Sequence, residues 1–141
     1  MRNLILFLIL GVFFVSCDAL KSTGDFGAVK KAFTTNDWLL QDENGTVVSY
    51  NGQNVSMAFS QESDGFKASG FAGCNRFFST VDLQPGHIKF TQPAATLMAC
   101  PDMAGEEAFL DLITLVNAYE VSGNELKLFQ DKILLLRFRA K

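Results

Sequence analysis

From Trp38 onward the chain alternates between apolar and polar positions. Val55, Met57 and Phe59 fall on one side, with Asn54, Ser56, Ala58 and Ser60 on the other. Phe77, Ser79, Val81 and Leu83 oppose Phe78, Thr80 and Asp82; Ile88 and Phe90 oppose His87 and Lys89; Leu126 and Leu128 oppose Glu125 and Lys127. A period of two predicts half-buried antiparallel strands. Turn signals separate them: Asn44-Gly45, Asn51-Gly52, Asp64-Gly65, Pro85-Gly86 and Gly123-Asn124. Ile133 to Leu136 is apolar throughout, which predicts a strand covered on both faces. Met103 to Asn117 departs from the pattern, with Phe109, Leu112, Ile113 and Val116 at helical spacing. Pro101 and Asp102 set its start, and Asp102, Glu106 and Glu107 place negative charge at the positive end of the helix dipole. The order strands, helix, strands predicts an α+β fold, a curled antiparallel β-sheet packed around one α-helix.

The N-terminal segment follows another rule. Leu4 to Val15 is an unbroken run of twelve residues without a charged or polar side chain. A membrane-spanning helix needs about 20 apolar residues, so the run has the length of a signal-peptide core. It ends in Ser16-Cys17, which resembles the bacterial lipobox, with cleavage before Cys17 and lipid attachment to its sulfur. Residues 1–16 are therefore expected to be a lipoprotein signal peptide. Lipidated Cys17 would hold the protein to a membrane, with two or more acyl chains giving a stable anchor. The expected location is a bacterial cell envelope, at the outer membrane. Residues 17–36 carry scattered apolar residues, and Gly24 and Gly27 interrupt any helical pattern, so a flexible tether is expected there. The folded domain is expected over 37–141.

Composition narrows the chemistry. The 141 residues include 12 basic and 15 acidic side chains, a net charge of −3. No basic excess exists to neutralise phosphates, so no nucleic-acid partner is expected. One histidine and three cysteines do not supply a four-ligand zinc site, and no metal or cofactor is expected. Cys74 and Cys100 follow the signal segment into an oxidising compartment, where two cysteines most often pair; free thiols are the alternative. The best catalytic candidates would be Cys74, Arg76 and His87, but no base–nucleophile pair has motif support, so no enzyme is expected.

Two short segments stand out. Gly73-Cys74-Asn75-Arg76-Phe77 reads as a binding loop, with Arg76 pairing an anion, or as a tight connection with Asn75 in a turn; the second is favoured. Thr96-Leu97-Met98-Ala99-Cys100-Pro101 reads as the approach to the helix. Together with Glu107-x-Phe109-Leu110, Trp38-x-Leu40, Leu126-x-Leu128 and Leu134-x-Leu136-x-Phe138, they resemble the META domain (HslJ-like) family over roughly Asn36 to Arg139. Leu97 stands where many members have Lys or Arg. The resemblance implies a partial barrel holding one helix, and Gly73, Asn75, Arg76, Thr96 and Met98 as the family-motif loop. It also implies links to heat shock, antibiotic tolerance and secretion-related or virulence settings, and no established catalytic residues. The expected function is an envelope lipoprotein with an interaction or stress-tolerance role. The alternative is a carrier of an apolar small ligand or lipid in a crack of the curled sheet.

Overall fold

The computed structural model describes residues 25–141. Helix α1 (Phe26–Thr35) comes first, followed by β1 (Asp37–Gln41), β2 (Ser49–Tyr50), β3 (Gln53–Asn54), β4 (Ser56–Glu62) and β5 (Gly65–Phe71). Then come β6 (Arg76–Gln84), β7 (His87–Phe90), β8 (Ala94–Ala95), α2 (Ala104–Leu115), β9 (Ala118–Ser122), β10 (Glu125–Gln130) and β11 (Ile133–Ala140). The expected α+β class and strands–helix–strands order hold from β1 onward. The signal segment, Cys17 and the first part of the expected tether lie outside the described residues.

The strands form one antiparallel sheet in the order β5-β4-β1-β11-β10-β9-β7-β6-β8, and β5 also pairs with β6, so the sheet curls around its core. Its thinnest seam is β7 against β9, which pair at His87↔Ala118. β2 and β3 form a separate hairpin through Asn51 and Gly52, both at positive φ (50° and 79°), the geometry that Asn-Gly favours in a two-residue turn. The alternation read from the sequence matches burial. Val55, Met57, Phe59, Phe77, Val81, Ile88, Phe90, Leu126 and Leu128 all face the core.

Two expectations fail here. The segment assigned to a flexible tether is helical from Phe26 to Thr35. The Asp25 carboxylate accepts the Gly27 N–H at 2.9 Å, so Gly27 sits in a capped first turn where it does not break the helix. α1 is held by one deep contact. Phe33 is fully buried, edge-on to Phe59 at 4.7 Å and to Tyr119 at 5.2 Å, and its carbonyl accepts the Trp38 indole N–H at 3.3 Å. The second failure is the start of β11. Ile133 (65% exposed) and Leu134 (39%) are not covered on both faces, because they run out to the Asp131 turn beyond a register shift at Leu128/Phe129. Burial resumes at Leu136 and Phe138.

Helix α2 packs Phe109 against Phe77 (5.5 Å) and Phe138 (6.4 Å). With Phe33 in the other aromatic cluster, side chains from two helices fill the inside of the sheet. Among the described residues no helix is long and apolar enough to cross a membrane.

Candidate functional site

The two segments singled out in the sequence come together at the start of β6. Cys74 and Cys100 form a disulfide, with Cα atoms 6.0 Å apart. Between them lies a dense polar cluster. Asn75 is 2% exposed and Glu106, on α2, is 4% exposed. One oxygen of Glu106 accepts the backbone N–H groups of Cys74 (2.9 Å) and Asn75 (2.6 Å), while the other accepts Asn75 Nδ2 (2.8 Å). Asn75 Nδ2 also donates to the Met98 carbonyl (3.1 Å), and Asn75 Oδ1 accepts the Thr96 hydroxyl (2.8 Å) and the Met98 N–H (2.7 Å). The two donors and two acceptor positions of the Asn75 amide are thus all used. A buried polar network this complete holds its members in one arrangement.

Gly73 adopts φ 129°, a conformation that favours glycine, and packs beside the Tyr50 ring. Gly105 of α2 packs against the same ring, so Tyr50 is clasped between the motif loop and the helix. Asn51 reinforces this from the β2–β3 turn, donating through Nδ2 to the carbonyls of Gly73 (3.3 Å) and Asp102 (2.9 Å). Asp102, one residue before the Met103 N-cap of α2, accepts the Ala104 N–H at 3.1 Å.

The predicted site residues therefore divide. Gly73, Asn75, Thr96 and the backbone of Met98 are parts of the cluster. Arg76 takes part only through its backbone: its N–H donates to Thr96 Oγ1 (3.2 Å) and its carbonyl accepts the Thr96 N–H (3.0 Å), while the side chain is exposed. The Met98 side chain is 59% exposed and Leu97 is 99% exposed, so the loop presents apolar groups to solvent. His87 is exposed at the β6–β7 turn. Among the described residues, no group of three or more His, Cys, Asp or Glu side chains is placed to hold a metal. Cys17 lies outside the described residues.

Sequence reasoning missed Glu106, Tyr50 and Asn51. Glu106 was assigned only to the helix dipole, yet it is three residues before Phe109 and seven before Ile113, on the buried face of α2. An acid on an apolar helix face is the signal that could have found it. Tyr50 carries no comparable signal, and the Asn51-Gly52 signal marks the turn but not the bonds Asn51 makes to Gly73 and Asp102.

Beside the cluster, the outer face of the sheet holds a hollow of about 480 Å³ over β1, β4, β5 and β6, lined by Leu39, Ser56, Phe71, Arg76 and Phe78 among others. A second hollow of about 480 Å³ shares Ser69 and Phe78 with it.

A disulfide-pinned curled sheet with its motif loops tied to a helix defines a small α+β domain of the partial-barrel type. The META domain family matches residues 31–141, and the chain belongs to that family. The match begins inside the segment expected to be a tether, in agreement with α1 being part of the fold. The structure is similar to the NMR structure of a protein from Burkholderia xenovorans: 25% identity, 81% of this chain and 87% of that one covered, TM-score 0.62. A second NMR structure shares the fold at 20% identity, covering 77% of this chain and 92% of that one, TM-score 0.58. No curated protein matches the chain.

Proposed function

We propose that this protein is a lipid-anchored bacterial envelope protein whose META domain is a non-enzymatic interaction module in stress tolerance. The observation that carries the reading is the state of the motif residues. Asn75, Glu106, Thr96 and the two cysteines are bonded to one another, which leaves their polar groups engaged in holding loops rather than facing a cleft. What the cluster presents outward is Arg76, Leu97 and the Met98 side chain. Exposed apolar and cationic groups on a rigid frame suit recognition of a partner. The anchor rests on the Leu4–Val15 run and Ser16-Cys17. An apolar carrier would need room inside the sheet, where Phe33 and Phe109 sit buried.

The test is growth with an alkyne-tagged palmitate, followed by fractionation of cells making the wild type or Cys17→Ala, with envelope-stress survival scored in the same strains. The reading expects label and membrane partition in the wild type only, and reduced survival in the variant. An unlabelled wild type, or full survival of a released Cys17→Ala form, would overturn it.

A further inference from the structure

The outer face over β1, β4, β5 and β6 is built in two rows by strand register. Leu39, Ser56, Phe71 and Arg76 make one, and Asp37, Ala58, Ser69 and Phe78 the other. The small residues Ser56, Ala58 and Ser69 in the middle leave a recessed floor, and Phe78, 54% exposed, stands beside it. The hollow of about 480 Å³ lies within the range of ligand sites, and the second hollow continues it past Phe78.

The hollow also carries positive side chains. The chain carries a net charge of −3, yet Arg76 and Lys141 line the hollow, where, among the described residues, Asp37 is the one acidic side chain. Among the described residues, the side-chain ion pairs involve Lys67, Lys127 and Arg137, not Arg76 or Lys141. The Arg76 backbone is fixed on both sides by Thr96 and follows Asn75, which is tied to Glu106. The backbone that carries the cation is therefore tied into the polar cluster, which lowers the backbone ordering cost of binding.

We propose that this hollow binds an extended acidic segment of a partner protein, a carboxylate on the Arg76 guanidinium and an apolar side chain against Phe78. The inference deepens the interaction reading above and rests on it. An arginine fork matches a carboxylate through two parallel hydrogen bonds, and Ser56 and Ser69 add hydroxyls for the segment's backbone. An anionic membrane surface would share the charge complementarity, but a bilayer cannot enter a recessed floor as a single extended chain can.

The test uses the full chain with its lipid in detergent micelles. Fluorescence anisotropy is read with three labelled seven-residue peptides alternating Leu with Glu, Gln or Lys. The Glu peptide is expected to bind more tightly than the Gln peptide, and Arg76→Glu to weaken it about tenfold or more. The Lys peptide should bind Arg76→Glu better than the wild type. Phe78→Ser should weaken the Glu peptide, and Lys132→Glu, at the distant β10–β11 turn, should not. Near-UV circular dichroism checks that each variant is folded. Equal binding of the three peptides, no effect of Arg76→Glu, or Arg76-dependent binding only to phosphatidylglycerol vesicles would overturn the proposal. Failed peptide binding with intact Cys17 labelling removes this inference alone; failed labelling with intact peptide binding removes the envelope reading and leaves the surface.

Discussion

Asn75 and Glu106 are joined by two hydrogen bonds, the Asn75 backbone N–H to Oε2 at 2.6 Å and its Nδ2 to Oε1 at 2.8 Å, across 31 positions of sequence. This pair links the start of β6 to α2, and the Cys74–Cys100 disulfide joins the same loop to the approach of that helix. The motif residues are thus the frame on which the loop and Arg76 are mounted.

The disulfide closes a loop of 26 residues. On the chain-entropy account its loss costs about 3.5 kcal/mol. Urea unfolding with and without reductant should show a lower midpoint after reduction. Peptide mapping of denatured protein should find Cys74 and Cys100 alkylated only after reduction.

Gly105 is the second residue of α2, a helical position that ordinarily favours alanine over glycine. Here a methyl would meet the Tyr50 ring. Gly105→Ala should destabilise by about 1–3 kcal/mol, the range for overpacking. Adding Tyr50→Ala should remove most of that penalty, and a thermodynamic cycle over the four proteins reads the coupling.

Phe33 is fully buried between Phe59 and Tyr119. Phe33→Ala should cost about 3–5 kcal/mol in chemical denaturation. A tether residue would cost nothing, so this variant separates a folded α1 from a flexible arm.

Burial raises the Tyr119 phenol above its usual pKa, partly offset by the Gly86 N–H donating to its oxygen at 3.3 Å. The unfolded chain then loses this proton more readily than the folded one. The contribution is present below about pH 10 and declines as pH rises through that value. Stability measured from pH 8 to 11 should fall less steeply in Tyr119→Phe.

Much of the sheet was legible because its strands each bury one face: Val55, Met57 and Phe59 announce β4, and Leu126 and Leu128 announce β10. The Asn-Gly and Pro-Gly turns and the Phe109–Ile113 face of α2 were legible for similar local reasons. α1 was not: Phe26, Val29 and Phe33 stand at i, i+3 and i+7, and Val29 packs on the core beside the buried Phe33, but Gly24 and Gly27 next to them mask so short a pattern. The polar cluster was half legible. Cys74, Asn75 and Cys100 mark themselves by type, whereas Glu106 is marked only by sharing the apolar face of α2 with Phe109 and Ile113. Its role depends on the β5–β6 connection being folded against α2, and the Tyr50 clasp of Gly73 and Gly105 depends on the same approach.

The most direct measurement is urea unfolding of the full chain beside Glu106→Gln and Glu107→Gln. The amide in Glu106→Gln keeps one oxygen, so whichever way it turns its NH2 meets a donor, either the Cys74 and Asn75 backbone N–H groups or Asn75 Nδ2. The expected loss is about 2 kcal/mol or more. Glu107, exposed and one residue away, should change stability by no more than about 0.5 kcal/mol. A Glu106→Gln protein as stable as the wild type would contradict the account, and loss of cellular function at unchanged stability would assign the carboxylate to chemistry instead of to the frame.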